Sequence, residues 1–172
     1  MPPHPTPRLE FRSWSSADAA LAHRLWCDPQ VMKFLAKEPM TPAGAEVRMR
    51  AEMEIEDVSG LQYWPIFLRE GGDFVGVCGI KPSPWSPGST ELGFHLLPAY
   101  WGQGFAREAA SACIAHAWGL GDTHLFAGHH PDNIGSQRLL TSFGFKYTHH
   151  LLFPPTGVEH PCYRLDKVVL SR

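Results

Sequence analysis

The sequence has few of the features that would indicate a disulfide framework, a metal cluster or a membrane anchor. Its four cysteines, Cys27, Cys78, Cys113 and Cys162, are widely separated and form no C-x-x-C pair. Neither a zinc cluster nor a set of disulfides is therefore predicted. The sequence also has no apolar run near the ~18 residues of a membrane span, and its start lacks an apolar stretch with a cleavage site. We expect a cytoplasmic protein in a reducing compartment.

A strong charge of one sign is also missing. The formal net charge is −2, which gives no global reason to expect a nucleic-acid or membrane partner. Two histidine pairs, His129-His130 and His149-His150, invite a metal-site interpretation. Neighbours on a strand point to opposite faces, so at most one histidine of each pair is predicted to reach a single site, and no metal is expected.

The chain has enough apolar residues for one core. Its 172 residues are 44% hydrophobic and 12% aromatic, which predicts a single domain over residues 8–172. Met1 to Pro7 holds four prolines and is expected to be a flexible tail. The edge strands and exposed aromatics leave a homodimer open.

Local patterns predict alternating strands and helices. Helices are expected from Ser15-Ser16-Ala17-Asp18 through Trp26, and from Thr41-Pro42 to about Val58. Two strands joined at Glu70-Gly71-Gly72-Asp73 form a predicted antiparallel hairpin. The predicted strands are Arg8 to Arg12, Gln62 to Arg69, Phe74 to Lys81, Glu91 to Leu97, Leu125 to His129, Phe145 to Phe153 and Tyr163 to Leu170, with a linker at Pro154 to Pro161. These elements predict an α/β (α+β) fold.

The central feature is a strand, a glycine turn and a helix start. Apolar residues alternate along Glu91 to Leu97, Pro98 ends that strand, and an alanine-rich helical pattern runs from Phe105 to Gly119. Gly102 and Gly104 between them leave the backbone uncovered. Such a turn can aim amide N–H groups and the positive end of the helix dipole at a phosphate. The alternative is that the glycines only make a tight turn.

Two familiar phosphate motifs do not match. No Gly-Lys-Ser/Thr follows, and the third glycine of a dinucleotide fingerprint is missing. Trp101-Gly102-Gln103-Gly104-Phe105-Ala106 instead resembles the acetyl-CoA pyrophosphate loop of the GNAT N-acetyltransferases, Gln/Arg-x-x-Gly-x-Gly/Ala. Trp101 replaces the leading Gln/Arg, which removes one side-chain contact and spares the backbone amides.

A second block strengthens the resemblance. Asn133-Ile134-Gly135-Ser136-Gln137-Arg138-Leu139-Leu140-Thr141-Ser142-Phe143-Gly144-Phe145 is similar to the family's Asn-x-x-Ser block with its closing Gly-Phe. Arg8 to Arg12 resembles the family's first strand, and Tyr100-Trp101-Gly102 with its sequel resembles the RimJ/RimL-like branch that acetylates N-termini of ribosomal proteins. The resemblance implies a mixed, mostly antiparallel, splayed central sheet flanked by helices.

The resemblance also implies acetyl-CoA as the co-substrate. The pantetheine arm would enter the gap between Glu91 to Leu97 and Leu125 to His129, where the Leu96 N–H could stabilise the thioester oxyanion. The cofactor-binding residues implied in this way are Leu96, Leu97, Trp101, Gly102, Gln103, Gly104, Phe105, Ala106, Arg107, Asn133 and Ser136.

Three residues are candidates for catalysis. Glu91 could act as the base that deprotonates the amine, directly or through water, or could anchor the substrate or form a surface ion pair. His95, on the same strand face, is the competing base, or a packed histidine. The family's tyrosine acid is replaced by Leu140, so Ser136 could hydrogen-bond the leaving thiolate, or could cap a helix start.

The expected function is acetyl-CoA-dependent transfer of acetyl directly to a primary amine, of a protein N-terminus or a small molecule. The alternative is a non-catalytic acyl-CoA-binding sensor or partner protein. Fold analogy places the acceptor pocket at Phe34 to Gly44, at the Trp85 loop and at Pro154 to Pro161.

Overall fold

One mixed sheet forms the centre of the protein. The computed structural model describes residues 1–83 and 88–168, and in these residues seven strands have the order β1-β2-β3-β4-β5-β7-β6. Neighbouring strands are antiparallel, except that β4 and β5 run parallel. The strands are β1 Leu9–Phe11, β2 Gln62–Leu68, β3 Phe74–Pro82, β4 Thr90–Leu96, β5 His124–Gly128, β6 Lys146–Phe153 and β7 Val158–Asp166. The predicted mixed, mostly antiparallel sheet is confirmed.

Helices cover both faces of this sheet. They are α1 Ala19–Trp26, α2 Pro29–Met32, α3 Pro42–Ser59, α4 Phe105–Leu120 and α5 Ile134–Ser142. On one face α4 packs its small residues Ala109, Cys113 and Ala117 against the strands, and all three are fully buried. Small side chains let the helix backbone approach the sheet closely. On the other face α1 and α3 enclose a second apolar cluster around Trp26 and Met49.

Local capping signals determine where the helices begin. Thr41 accepts a hydrogen bond from the Gly44 N–H at 3.1 Å, and Pro42 occupies the first turn. The predicted start of α3 is therefore confirmed. The preceding helix was predicted to end at Asp28-Pro29, and α2 was not predicted. In α2 the Asp28 carboxylate caps a single further turn by accepting the Gln30 N–H at 2.7 Å.

The segment ahead of β1 makes defined contacts in the structure. Thr6 Oγ1 donates to Glu108 Oε1 on α4 at 2.6 Å, and the Arg69 guanidinium donates to the Thr6 carbonyl at 3.2 Å. Pro3 is buried. The end of this segment therefore packs on α4.

The last hairpin differs from the prediction. The linker predicted at Pro154 to Pro161 is only a turn over residues 154–157, where Gly157 has a φ of +74°. The strand predicted to begin at Tyr163 begins at Val158 and includes Pro161, which pairs with His150 of β6. Long-range pairing with both β5 and β6 therefore overrides the local signal of the proline. Residues 169 and 170 of the predicted strand lie outside the described residues.

The sheet opens beside β4. Strands β4 and β5 pair only at Thr90 with Leu125 and at Glu91 with Phe126 in the described chain, although β4 continues to Leu96. Beyond Glu91 the two strands diverge. The split expected from the resemblance is present, and it leaves one backbone edge of β4 without a strand partner.

Candidate active site

Two connected cavities occupy the split. The first, which we call the loop cavity, has a volume of about 400 Å³ and is bounded by Trp101, Gly104 and the first residues of α4. The second, the inner cavity, has a volume of about 670 Å³ and includes Glu91. Six residues line both: Phe34, Leu35, Phe94, His95, Asn133 and Ser136. A ligand that extends along the split can therefore reach from the glycine turn to Glu91.

The glycine turn borders the loop cavity, and hydrogen bonds from two side chains hold the chain around it. Gly102 and Gly104 have φ of +72° and +82°, a region that side chains with a Cβ rarely adopt. The Trp101 indole N–H donates to the Leu96 carbonyl at 2.8 Å, and Arg8 Nη1 donates to the Gln103 carbonyl at 3.1 Å. Because Gly104 is the N-cap of the sixteen-residue α4, the free amides of the first turn suit an anion.

The free edge of β4 offers further backbone groups to a ligand. The Leu97 N–H donates to the Val75 carbonyl at 2.9 Å, and Leu96 is paired with Gly76. Because backbone groups alternate along an antiparallel strand, the Leu96 N–H faces away from β3 and toward the split. An amide-bearing arm could pair there as an added strand would.

A buried polar pair lies at the inner end of the split. Tyr63 Oη donates to Glu91 Oε1 at 3.0 Å. The Tyr63 ring lies over Gly93, where a Cβ would overlap it. Burial raises the pKa of Glu91, while Lys81 and the Tyr63 hydrogen bond lower it. Burial also raises the pKa of Tyr63 well above 10, with the Glu91 charge adding to the effect, so Tyr63 is a fixed donor.

Further charged side chains surround this pair. Glu52 is only 2% exposed and accepts the Tyr63 backbone N–H at 3.0 Å. Lys81 Nζ lies 3.4 Å from Glu52 Oε1 and 4.2 Å from the centre of the Tyr63 ring. Arg48 also lines the inner cavity. The sequence did not predict these four site residues, Arg48, Glu52, Tyr63 and Lys81.

His95 shares the strand face of Glu91, as alternation predicts, since both line the inner cavity. The Trp26 indole N–H donates to His95 Nδ1 at 3.4 Å. The Tyr63 ring packs edge-on against the imidazole, with the two ring centres 5.6 Å apart. Burial lowers the pKa of His95 well below 6.5, and the cations Arg48 and Lys81 lower it further. His95 is therefore a neutral imidazole at pH 7 with one nitrogen already used as an acceptor.

Comparison with known proteins identifies the family. The family model for the acetyltransferase (GNAT) domain matches residues 8–146. The chain belongs to the GNAT acetyltransferase family. It is an N-acetyltransferase of that family, whose fold binds acetyl-CoA.

Individual relatives agree with this assignment. The chain is 31% identical over 170 residues to FsC-acetyl coenzyme A-N(2)-transacetylase of Aspergillus fumigatus, covering 90% of this chain and 71% of that protein. It is 28% identical over 145 residues to the uncharacterized N-acetyltransferase p20 of Bacillus licheniformis, covering 82% and 80%. An acetyltransferase structure from Agrobacterium tumefaciens matches with a TM-score of 0.80 and 25% identity, covering 97% of this chain and 95% of that one.

RimL, a ribosomal L7/L12 alpha-N-protein acetyltransferase, shares the fold. Its apo structure matches with a TM-score of 0.78 at 15% identity, covering 94% of this chain and 92% of that one. At that identity the likeness concerns the fold alone. A second RimL structure contains coenzyme A.

Most of the predicted cofactor residues of this GNAT domain line the loop cavity. They are Leu96, Trp101, Gly102, Gly104, Phe105, Ala106, Asn133 and Ser136. Three others do not line it. Leu97 is buried in the core, the Gln103 side chain donates to the Ala99 carbonyl at 2.7 Å, and Arg107 donates to Ser142 Oγ at 2.6 Å across to α5. Arg107 therefore joins α4 to α5.

Asn133 and Ser136 stand where the two cavities meet. Asn133 Oδ1 accepts the Ser136 backbone N–H at 3.1 Å and so caps α5. The capping role that the sequence left open for Ser136 thus belongs to Asn133. Leu140, at the position of the family's tyrosine, is buried and lines the inner cavity.

The predicted acceptor loops contribute only in part. Phe34, Leu35 and Met40 of the first loop line the inner cavity, and so does His160 from the last hairpin. Trp85 lies outside the described residues.

The histidine prediction needs a correction. Both His129 and His130 line the inner cavity, because β5 ends at Gly128 and strand alternation no longer separates them. His129 Nε2 lies 3.2 Å from Tyr163 Oη. Burial lowers the pKa of His160 to about 4, so it is neutral at pH 7. Over residues 1–83 and 88–168, no group of three or more His, Cys, Asp or Glu side chains could hold a metal ion.

No helix in that part of the chain is both long and apolar enough to cross a bilayer.

Proposed function

We propose that this GNAT domain transfers acetyl from acetyl-CoA directly to a primary amine, of a protein N-terminus or a small molecule, bound in the inner cavity. The observation that carries the proposal is the continuity of the split. The loop cavity and the inner cavity share His95, Asn133 and Ser136, so donor and acceptor would meet beside Glu91. The name of the Aspergillus fumigatus relative specifies acetyl transfer from acetyl coenzyme A to N(2), which supports a nitrogen acceptor.

In this proposal Glu91 is the base. A primary α-amine with a pKa near ~8 enters mostly as an ammonium and must lose a proton before attack. Glu91 is suited to take that proton because burial raises its pKa. His95 is less suited, because its lowered pKa makes the imidazole a weak base and Trp26 already donates to its Nδ1.

The remaining groups act on the thioester. As the amine nitrogen bonds to the carbonyl carbon, negative charge develops on the oxygen, and the Leu96 N–H faces the side from which it could donate. The carbon–sulfur bond then breaks and the sulfur leaves as a thiolate. Ser136, at the junction of the cavities, is the hydroxyl proposed to hydrogen-bond that sulfur.

The test is acetyl-CoA-dependent release of free thiol by the intact protein with a panel of peptides, polyamines and small amines. We expect saturable acetyl-CoA binding and turnover with at least one amine. A protein that binds no acyl-CoA would overturn the proposal. Binding without turnover over a broad panel would instead favour the sensor or partner role. We also propose that the protein is cytoplasmic and that it belongs to the RimJ/RimL-like branch of the family.

A further inference from the structure

Arg48 has an unusual position in the inner cavity. It projects from α3 into the cavity, partly exposed there although protein surrounds it. Its guanidinium lies 4.8 Å from the centre of the Trp26 ring. Within residues 1–83 and 88–168 it forms neither a salt bridge nor a side-chain hydrogen bond, while the nearby Lys81 is paired with Glu52.

The charges of the cavity wall are otherwise matched. Glu52 is satisfied by Lys81 and by the Tyr63 backbone, and Glu91 accepts from Tyr63 Oη. Neither the guanidinium nor the Glu91 carboxylate forms a salt bridge within the described residues, although Arg48 interacts at longer range with the charges of Glu52 and Glu91. A half-buried guanidinium whose N–H groups have no side-chain acceptor is costly to keep in the cavity. Burial lowers the pKa of Arg48, but an arginine stays charged at neutral pH.

We propose that Arg48 binds a carboxylate of the acceptor, so that the amine acetylated belongs to a free amino acid or a similarly compact aminocarboxylic acid. The inference rests on the proposed function and narrows its acceptor. Such an acceptor is a zwitterion. Its carboxylate would match Arg48, and its ammonium would match the Glu91 carboxylate that then accepts the proton.

A carboxylate fits the site better than a phosphate. It is a planar, singly charged group that a guanidinium can bind through two parallel hydrogen bonds. A phosphate dianion would bring a second negative charge into a cavity that already contains Glu91. The walls also include Met40, Phe126 and Leu151, which suit an apolar side chain on the acceptor.

The first test compares substrates on the unaltered protein. Phenylalanine, phenylalaninamide and 2-phenylethylamine share the aromatic group and the amine but differ in the carboxylate. We expect kcat/KM for phenylalanine to exceed that for each of the others by about 10- to 100-fold, as for a charge-assisted hydrogen bond. The same ranking is expected for leucine against leucinamide.

The second test removes the guanidinium. Arg48→Met should lower kcat/KM for phenylalanine by about 10- to 100-fold and leave that for phenylalaninamide nearly unchanged. Arg48→Lys should restore part of the loss. Arg50→Met is the matched control, since Arg50 is two residues along the same helix, 55% exposed and paired with Glu46. It should leave both substrates and the acetyl-CoA KM unchanged.

The outcomes separate this inference from the proposed function. Equal use of acid and amide by the unaltered protein, or equal losses for both in Arg48→Met, would overturn the carboxylate role while leaving the acetyltransferase in place. Failure to acetylate any amine would instead overturn the proposed function. The substrate comparison needs no variant, so it decides the question even if Arg48→Met does not fold.

Discussion

At the residue scale, the hydrogen bond between Tyr63 and Glu91 gives the two oxygens of the Glu91 carboxylate different roles. Tyr63 Oη donates to Oε1, which fixes the orientation of the carboxylate. The second oxygen is then the one available to an incoming amine. Because burial opposes the charged form, proton uptake by Glu91 is easier than it would be in water.

Glu91→Gln should lower kcat by about 10²- to 10⁴-fold, the range for general base catalysis, and leave the acetyl-CoA KM unchanged. Glu91 has a raised pKa, so the rate of the unaltered enzyme should rise with pH as this carboxyl group loses its proton. With a peptide or amide acceptor, whose α-amine has a pKa near ~8, the deficit of the variant should shrink above about pH 8, where this amine is neutral without help. Steady-state kinetics over a pH series will measure both effects.

Tyr63→Phe is the control for that experiment, since it keeps the carboxylate and removes only its donor. It should show a smaller loss than Glu91→Gln with the same direction of pH dependence. A deficit of Glu91→Gln that stays constant with pH would make Glu91 a substrate anchor and not a base.

Ser136→Ala should lower turnover by about 10-fold and leave acetyl-CoA affinity nearly intact, because its interaction strengthens mainly as the thiolate forms. Ser142→Ala makes the same change at the far end of α5, where Ser142 contacts Arg107. That control should keep full turnover. If the two variants turn over equally fast, Ser136 has no part in the chemistry.

The sequence could place Glu91 and His95 on one face because strand alternation is a local rule. It could not place Arg48 and Glu52, because α3 has charged residues on most sides and gives only a weak apolar stripe. One signal was available: Ala45, Met49 and Glu52 follow each other at helical spacing, and all three are buried. A carboxylate in line with an apolar stripe indicates a buried charge that needs a partner. The identity of that partner depends on tertiary packing.

At the element scale, the turn before α4 combines a backbone requirement with a binding role. Gly104→Val should raise the acetyl-CoA dissociation constant by at least about 10-fold, since a β-branched residue strains a φ of +82° and so displaces the amides that would face the anion. Isothermal titration with acetyl-CoA measures the change.

Gly121→Val is the control that distinguishes a loss of helix stability from a loss of acetyl-CoA binding. Gly121 is the cap at the other end of α4 and has a φ of +101°, and a Cβ at this position would meet only open space. The substitution should lower stability in a similar way but leave acetyl-CoA affinity unchanged. Equal losses of affinity in the two variants would mean that helix stability, and not the turn, determines binding.

The start of α1 contains an ion pair whose contribution to stability depends on pH. Arg12 holds Asp18 through two hydrogen bonds of 2.7 Å, and Ser15 donates its backbone N–H at 2.8 Å. The Arg12 hydrogen bond, opposed by burial and aided by Ser15, lowers the pKa of Asp18 from 3.8 to about 2. This shift corresponds to about 2 kcal/mol of stability.

That stability is present above the unfolded-state pKa and is lost as the pH falls toward the lowered one. Asp18→Asn should therefore reduce the free energy of unfolding by about 2 kcal/mol near neutral pH, and the difference from the unaltered protein should shrink between about pH 4 and pH 2. Urea unfolding at several pH values will test it. Asp166 pairs with Arg164, and the Asp166 side chain is 64% exposed. Asp166→Asn should therefore change the free energy of unfolding by less than about 1 kcal/mol. An Asp18→Asn difference independent of pH would rule out the ionic explanation.

At the scale of the whole molecule, the order of the strands was less accessible to the sequence than the strands themselves. Alternation and turn residues locate β2 and β3, whose hairpin has local contacts. The position of β7 between β5 and β6 depends on pairing between distant segments. The split beside β4 was expected only through the family resemblance, because no local pattern states where two parallel strands stop pairing.

Amide hydrogen exchange can test whether acetyl-CoA binds along the free edge of β4. In β4, alternation directs the N–H groups of Phe94 and Leu96 toward the split and those of Gly93 and His95 toward β3. Without ligand, we expect the first two amides to exchange faster. Saturating acetyl-CoA should slow their exchange by at least about 10-fold, because the pantetheine arm covers and pairs with that edge.

The alternate residues of the same strand provide the control. Gly93 and His95 already bond to β3, so acetyl-CoA should change their exchange little. Adenosine 3′,5′-bisphosphate, which has phosphates but no pantetheine arm, should leave Phe94 and Leu96 exchanging quickly. Equal protection of all four amides by acetyl-CoA would mean that the ligand stabilises the domain globally, and it would contradict a ligand that completes the free edge of β4.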